Sequence, residues 1–191
     1  MARTQSFDRD TVVRAARALF WRTGYESTSI PELEAATGLS RSSIYNAFGS
    51  KRGLFDAAVD SYLTEVVRPR LRPLTAQHVE PSALADYLTG LRAAFQNLES
   101  MPAANGCLLI NTAGAPIADD PQVARVIADY RAELRDAVVR GLHAARGQVP
   151  APELARLADA VTGLMVAAFA MARVDAAEAA RSIDTALALL G

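Results

Sequence analysis

The fold of this chain is decided by residues 29–48, which read SIPELEAATGLSRSSIYNAF. The stretch begins with a capping box, since Ser29 and Glu32 have the spacing at which each side chain bonds to the other residue's backbone amide. It continues through Thr37-Gly38-Leu39, where glycine suits the end of one helix, and Ser40 suits the start of the next. These signals predict two short helices joined by a three-residue turn, which is the pattern of a helix-turn-helix.

The two short helices are predicted at residues 30–36 and 41–48, between two longer ones. A helix over residues 8–23 precedes them, because apolar residues recur there at three- and four-residue spacing. Another begins after Ser50 and ends before Pro69. The inward-facing residues of the two short helices are predicted to be Ile30, Leu33, Ala36, Ile44 and Phe48.

This region resembles the TetR (TetR/AcrR) family of transcriptional regulators. The string GLSRSSIYNAFGSKRGLF, residues 38–55, has that family's glycine turn, tyrosine, phenylalanine and lysine at their usual spacings. Residues 19–20, 24–25 and 28–30 fit as well, whereas Ala47 stands where the family usually has a second aromatic residue. The resemblance covers about the first third of the chain. It implies a DNA-binding head followed by a helical domain that binds a ligand and dimerises.

A recognition helix must offer polar groups to base edges while neighbouring groups bind phosphates. Arg41 can reach guanine O6 and N7, and Asn46 can pair with adenine. Tyr45, Thr28, Ser29 and Lys51 suit phosphate oxygens, and the family resemblance implies that role for the tyrosine and the lysine. The predicted DNA-binding residues are Thr28, Ser29, Ser40, Arg41, Ser42, Ser43, Tyr45, Asn46 and Lys51.

The distribution of charge agrees with a head that meets phosphates. Residues 1–52 carry eight basic and five acidic side chains, whereas the remaining residues carry 12 basic and 16 acidic ones. The net charge of −1 therefore divides into +3 on the head and −4 on the rest, which is the footprint of a domain that approaches nucleic acid. Such a small positive charge is also common on ordinary solvated surfaces.

Composition predicts an all-α fold of about nine helices. Apolar residues make up 51% of the 191 and alanine dominates them, while aromatic residues make up 6%. We expect a helix-turn-helix DNA-binding domain at residues 1–50, a connecting helix at 51–67, and a ligand-binding and dimerisation domain at 68–191. Residues 68–73, RPRLRP, are predicted to form a break and a hinge region. Further helices are predicted at 81–99, 121–147, 152–172 and 175–190, with a short apolar segment at 105–113.

Several classes of protein are disfavoured by the residues themselves. A single cysteine, Cys107, excludes an internal disulfide framework and a cysteine-built zinc site. The two histidines, His78 and His143, are too far apart for a metal pair, and neither a dinucleotide fingerprint nor a nucleophile elbow is present. The longest uncharged apolar stretch, residues 160–172, is too short to span a bilayer. We therefore expect a cytoplasmic protein that is not an enzyme, uses no metal or cofactor and has no membrane partner.

The predicted dimer contact lies on the last two helices. A single head of this size reads few base pairs, so specific binding needs a two-fold dimer on a palindromic site. The family resemblance implies a four-helix dimer bundle from these segments, although the same apolar stripes could instead close the core of one chain. The predicted dimerisation residues are Leu157, Val161, Leu164, Ala168, Met171, Ile183, Leu187 and Leu190.

The family resemblance also implies a ligand pocket inside the helical domain. A lining with few charges would favour a hydrophobic or aromatic effector, although methionine and aromatic residues at helical spacing are more often plain core. The predicted ligand-binding residues are Phe95, Leu98, Met101, Cys107, Ile110, Asn111, Tyr130, Met165 and Phe169.

Cys107 carries an alternative hypothesis. Gly-Cys-Leu segments like residues 106–108 occur in a subset of the TetR family, so this thiol could sense electrophiles or oxidants. A reactive thiol needs a stabilised thiolate, yet Arg92 is the one basic residue within 15 positions upstream and the surroundings are apolar. A buried, unreactive thiol is the interpretation that these neighbours favour.

Taken together, the residues and the resemblance predict a TetR-type regulator. We expect a repressor that binds a palindromic DNA operator as a homodimer and is released by a small, hydrophobic effector. The alternative is a helical ligand-binding protein, or an electrophile sensor based on Cys107, without specific DNA binding.

Overall fold

The structure is a computed structural model that describes residues 7–97, 104–147 and 149–191. These residues form helices and connecting turns and contain no strand, which confirms the all-α fold of about nine helices. The chain divides into two compact units, Met1–Val66 and Val67–Gly191.

The first unit contains four helices: α1, Arg9–Thr23; α2, Ile30–Thr37; α3, Arg41–Phe48; and α4, Lys51–Tyr62. Serine hydroxyls cap three of them. Ser29 accepts from the Glu32 amide and completes the predicted capping box, while Ser40 and Ser50 cap α3 and α4 in the same way. Gly38 has a φ of 70°, the left-handed conformation in which glycine ends a helix without strain. The predicted helix-turn-helix is thus confirmed to within one residue at each end.

Aromatic and aliphatic side chains from all four helices form the core of this unit. Phe20 of α1 packs edge-to-face on Phe55 of α4, with ring centroids 5.2 Å apart. Leu33 of α2 and Ile44 of α3 are both fully buried, so each short helix is held by a central aliphatic residue. Ala36 is exposed rather than inward-facing, because α2 buries only a narrow face.

The predicted break at residues 68–73 is wrong. A π-helical turn, Leu63–Val67, follows α4 and leads directly into helix α5, Arg68–Thr75. Pro69 lies in the first turn of α5, where its missing amide proton is least needed. The π turn before it already departs from regular α-helical hydrogen bonding, so the helix accommodates the proline without ending.

In the second unit α5 is followed by α6, Ala83–Gln96; α7, Leu108–Ala113; α8, Pro121–Arg146; α9, Ala151–Met171; and α10, Ala176–Ala188. A 3₁₀ turn, Pro116–Asp119, precedes α8. The long helix α8 packs on α5, α6, α7 and α9, while α10 packs between α9 and α6. Asp120 caps α8 and Pro121 is its first residue, as predicted.

Arginines of α8 fasten the ends of two neighbouring helices. Arg140 donates to the carbonyls of Leu74 and Ala76 at the end of α5, and Arg146 donates to those of Leu189 and Leu190 at the end of α10. A cation at a helix C-terminus both satisfies free carbonyls and complements the helix dipole. The helix α8 therefore organises the second unit around itself.

Candidate nucleic-acid interface

Helix α3 presents one polar and one apolar side. Arg41, Ser42, Tyr45 and Asn46 are exposed, and Tyr45 retains 39% of its accessible surface. The Arg41 guanidinium carbon lies 5.6 Å from the centre of the Tyr45 ring, so these two side chains share one edge of the helix. Ile44 faces the opposite way and is fully buried. The exposed edge offers hydrogen-bonding groups of the kind that read base edges or bind phosphates.

Two of the predicted DNA-binding residues are directed inward instead. Thr28 is 1% exposed, and its hydroxyl donates to the Gly24 carbonyl at 2.6 Å. Ser43 is 9% exposed, and its hydroxyl lies 3.0 Å from that of Ser40. Both hydroxyls are enclosed and bonded within the chain, where they support the scaffold of the head, and their contact with DNA stays a prediction.

Two of the predicted phosphate-binding residues, Ser29 and Lys51, lie at the starts of α2 and α4. Ser29 is exposed at the N-cap of α2, where its hydroxyl is 2.7 Å from the Glu32 carboxylate. Lys51 is the first residue of α4, and its ammonium lies 4.4 Å from the centre of the Tyr25 ring. Burial lowers the pKa of this ammonium, while the carboxylates of Glu26 and Glu32 raise it by smaller amounts. The cation is thus held on an aromatic face beside a helix N-terminus.

Two residues that the sequence did not indicate hold the ends of α3. A Glu34 carboxylate oxygen accepts from the Arg41 amide at 2.6 Å, and the Arg9 guanidinium donates to the Ala47 carbonyl at 3.1 Å. The Arg9 guanidinium carbon also lies 4.4 Å from the centre of the Phe48 ring. No spacing rule could have found Arg9, because it is 38 residues from its acceptor in the chain.

Comparison with known proteins identifies the family. Residues 12–58 match the family model of bacterial regulatory proteins, tetR family. The chain is 34% identical to the uncharacterized HTH-type transcriptional regulator YezE of Bacillus subtilis (strain 168) over 149 residues, 78% of this chain and 75% of that protein. It is 32% identical to the HTH-type transcriptional repressor ComR of Escherichia coli (strain K12) over 151 residues, 78% of this chain and 70% of that protein. The chain belongs to the TetR family.

Solved structures agree with this assignment. A cysteine mutant of the TetR family regulator CifR, complexed with a 26-base-pair operator DNA, is 28% identical with a TM-score of 0.78, and the match covers 97% of this chain and 98% of that one. A TetR regulator from Chloroflexus aurantiacus J-10-FL is 31% identical with a TM-score of 0.74, covering 95% and 91%. The fold and the DNA-binding head of this chain are thus those of a TetR-family transcriptional regulator.

Five of the predicted ligand-binding residues of this TetR-family domain lie in its core. The rings of Phe95 and Phe169 meet edge-to-face with centroids 5.9 Å apart, and the Cys107 sulfur lies 3.3 Å from the Tyr130 hydroxyl. Met165 is fully buried. Cys107 is also fully buried, so a reagent in solution cannot reach its thiol in this conformation. Apart from the Tyr130 hydroxyl and the Cys107 thiol, these five side chains are themselves apolar.

The remaining predicted ligand-binding residues divide into two groups. Ile110 and Asn111 of α7 are half-buried, and the Asn111 amide nitrogen donates to the Asn105 carbonyl at 2.6 Å. Leu98 and Met101 lie outside the described residues.

A surface cleft that the sequence did not indicate lies between α5 and α6. Its volume is about 440 Å³, and its lining includes Arg70, His78, Asp86 and Tyr87. Burial raises the pKa of the Tyr87 hydroxyl. Since charged and aromatic groups of these helices come together only through packing, the sequence carries no local signal for the cleft.

The predicted dimerisation residues also divide. Val161, Ala168 and Ile183 are fully buried within the chain, and their part in a dimer contact stays a prediction. They belong to the packing of α9 and α10 on their own neighbours. The other five, half-buried, are Leu157, Leu164, Met171, Leu187 and Leu190.

The exposed side of α9 is formed by other residues. Small side chains recur along it at three- and four-residue spacing: Ala160, Gly163, Ala167 and Ala170. Val174, just beyond the helix, is 77% exposed. The helix α9 is long and apolar enough to cross a membrane, which for one helix is weak evidence. In its most apolar window, 33% of the residues are buried inside the chain. Exposed apolar surface of this kind is where proteins contact one another or a membrane.

Proposed function

We propose that this TetR-family regulator is a repressor that binds a palindromic operator in double-stranded DNA as a homodimer and is released by a small, hydrophobic effector. The observation that carries the proposal is the polar edge of α3, with Arg41, Tyr45 and Asn46 exposed while Ile44 is fully buried beneath it. ComR is named a transcriptional repressor, and CifR is solved on its operator DNA, which supports the same role here.

The proposed contacts to DNA follow from exposure and chemistry. Arg41 and Asn46 read base edges, because their side chains make bidentate hydrogen bonds to guanine and adenine. Tyr45 and Lys51 bind phosphates, and the exposed hydroxyls of Ser29, Ser40 and Ser42 support them. Phosphate contacts fix the register of α3, while base contacts supply the sequence preference.

The proposed dimer forms across the exposed side of α9. Small side chains at 160, 163, 167 and 170 let a second helix approach closely, and a two-fold contact places the same stripe on both chains. Leu157 and Leu164, which remain half-buried, would lose further surface at such a contact. Two heads in one dimer then read two half-sites, which matches a palindromic operator.

The proposed effector binds within the second unit, near the apolar cluster of Phe95, Tyr130, Met165 and Phe169. This environment suits a hydrophobic or aromatic molecule, with the Tyr130 hydroxyl as a polar contact. An effector that binds one arrangement of the dimer more tightly shifts the population away from the arrangement that docks both heads. We expect the protein to act in the cytoplasm.

The test is a footprint and a titration on the DNA that flanks the protein's own gene. We expect a palindromic, salt-sensitive footprint, and an affinity at least tenfold lower for the Arg41→Ala, Tyr45→Ala double variant. Arg125→Ala, which removes an exposed arginine of α8, is the matched control and should bind like the parent protein. Absence of a specific footprint at any salt concentration would contradict the proposed function.

A further inference from the structure

The recognition helix α3 is too short to be stable by itself. It has eight residues, Arg41–Phe48, or about two turns. Isolated helices shorter than about 12 residues are marginal in water. The stability of α3 therefore comes from the burial of Ser43 and Ile44 and from the contacts made at its two ends.

At the N-terminal end, α2 supplies a carboxylate. Glu34 accepts from the Arg41 amide at 2.6 Å, one of the amides that a helix leaves unpaired in its first turn. A negative charge here also complements the helix dipole. Ser40 accepts from the Ser43 amide in the same turn, so the start of α3 is fastened by its own cap and by the preceding helix.

At the C-terminal end, α1 supplies a guanidinium. Arg9 donates to the Ala47 carbonyl at 3.1 Å and lies 4.4 Å from the centre of the Phe48 ring. The carbonyls of the last turn lack partners within the helix, and a cation there complements the dipole. The two contacts therefore have opposite charges at opposite ends, each with the sign that its end of α3 favours.

We propose that Glu34 and Arg9 are positioning residues for operator recognition, holding the two ends of α3 so that its polar edge meets the bases in one orientation. The inference rests on the operator binding proposed above. Glu34 gives the sharper test of the two residues, because a carboxylate close to bound DNA is repelled by the phosphates. Its bond to the Arg41 amide gives it an internal role that offsets this repulsion.

A purely electrostatic role and a positioning role of Glu34 predict different effects of Glu34→Leu on DNA binding. If the carboxylate acted only through its charge, removing it would tighten binding to every DNA sequence. If it positions α3, the ratio of specific to non-specific affinity falls by about fivefold, the usual scale for losing a helix cap. Glu34→Gln keeps an oxygen that can accept from the Arg41 amide, so it should retain most of the parent ratio.

Arg9→Met provides the corresponding test at the other end. It preserves much of the aliphatic length while removing the donor, and we expect a similar loss of the specificity ratio. Arg22→Met removes an exposed arginine of the same helix, and Asp60→Leu removes an exposed carboxylate of α4. Arg22→Met changes the charge of the head as Arg9→Met does, and Asp60→Leu changes it as Glu34→Leu does, but both controls should leave the ratio unaltered.

The experiment measures the affinity of the full-length protein for the operator and for a scrambled duplex, with the fluorescence of Trp21 as a check that each head is folded. An unchanged or higher ratio for both Glu34→Leu and Arg9→Met overturns the positioning role while the proposed function stands. If the parent protein itself shows no preference for the operator, the proposed function fails and this inference with it.

Discussion

The Lys51 ammonium lies 4.4 Å from the centre of the Tyr25 ring, at the first residue of α4. The ring face attracts the cation and covers part of it, which fits with the burial that lowers the pKa of Lys51. An ammonium held in this way loses little side-chain freedom when a phosphate binds. The pair is therefore suited to the phosphate contact that we propose for Lys51.

Lys51→Met should therefore weaken binding to all DNA sequences by a similar factor. A contact to one phosphate releases about one counterion, so the slope of log K against log salt should fall in magnitude by about one. Titrations of operator and scrambled DNA at several salt concentrations measure both quantities. Arg131→Met, an exposed arginine of α8, serves as the control. A loss confined to the operator would show that Lys51 does not act through phosphate.

Asn46→Ala should change sequence preference rather than general affinity. If Asn46 pairs with an adenine, its removal costs about 1–3 kcal/mol on the parent operator and little on an operator altered at that base pair. The measurement is a panel of operators with single base-pair changes, titrated with the parent and the variant. Equal losses across the whole panel would be incompatible with a base contact by this side chain.

These positions show what the sequence could predict of the site and what it could not. Helix ends followed from local signals such as the Ser29 capping box, because caps act over three or four residues. Whether a hydroxyl is exposed depends on tertiary packing, so the sequence did not show that Thr28 and Ser43 are buried. Arg9 was missed for the same reason, since its acceptor Ala47 is distant in the chain and close only in the fold.

The second unit gives the same lesson for apolar residues. Periodicity identified the helices but not which apolar face meets which neighbour, so it did not show that Val161 and Ile183 are fully buried within the chain. The rule that a helix ends before a proline failed at Pro69, because a π turn precedes this proline. Local sequence signals thus predicted the helices, whereas the structure was needed to show which helix faces pack against each other.

Glu65→Gln should make the stability of the first unit less dependent on pH. Hydrogen bonds from Arg14 and then Arg17 lower the pKa of the Glu65 carboxyl below its ordinary value near 4.5. The stabilisation is therefore complete above that value and is lost as the pH falls through the lowered pKa. Because the carboxylate is 35% exposed, we expect a difference of no more than about 1 kcal/mol at pH 7.

Urea unfolding followed by Trp21 fluorescence measures this effect, since Trp21 is the single tryptophan and lies in α1. The gap between parent and Glu65→Gln should close as the pH is lowered from about 6 to about 3. Asp60→Asn, an exposed carboxylate of α4, controls for general charge effects. A gap that stays constant over this range would contradict the assignment to the Glu65 ion pairs.

Gly106→Ala should destabilise the second unit. Gly106 has a φ of 66°, and a β-carbon there would collide with the backbone carbonyl of Phe169 in α9. We expect a loss of at least about 2 kcal/mol, because the left-handed conformation and the clash both penalise alanine. Gly90→Ala, at an exposed position of α6 with open space around it, should instead stabilise by about 0.5–1 kcal/mol. Thermal unfolding of both variants tests the contrast, and a stable Gly106→Ala protein would refute the close approach.

Ala167→Arg should separate the proposed dimer. Ala167 is exposed in the chain, in the small-residue stripe of α9, so an arginine there costs the monomer little. Across a two-fold contact the same substitution occurs on both chains, and two long cations would have to be buried where small side chains had allowed close helix packing. We therefore expect sedimentation to show a monomer and operator affinity to fall by at least tenfold, because one head reads only one half-site. Ala132→Arg, at an exposed position of α8, should leave both the mass and the affinity of the parent protein. A dimer that survives Ala167→Arg and still binds the operator would show that the two chains meet through a surface other than this face of α9.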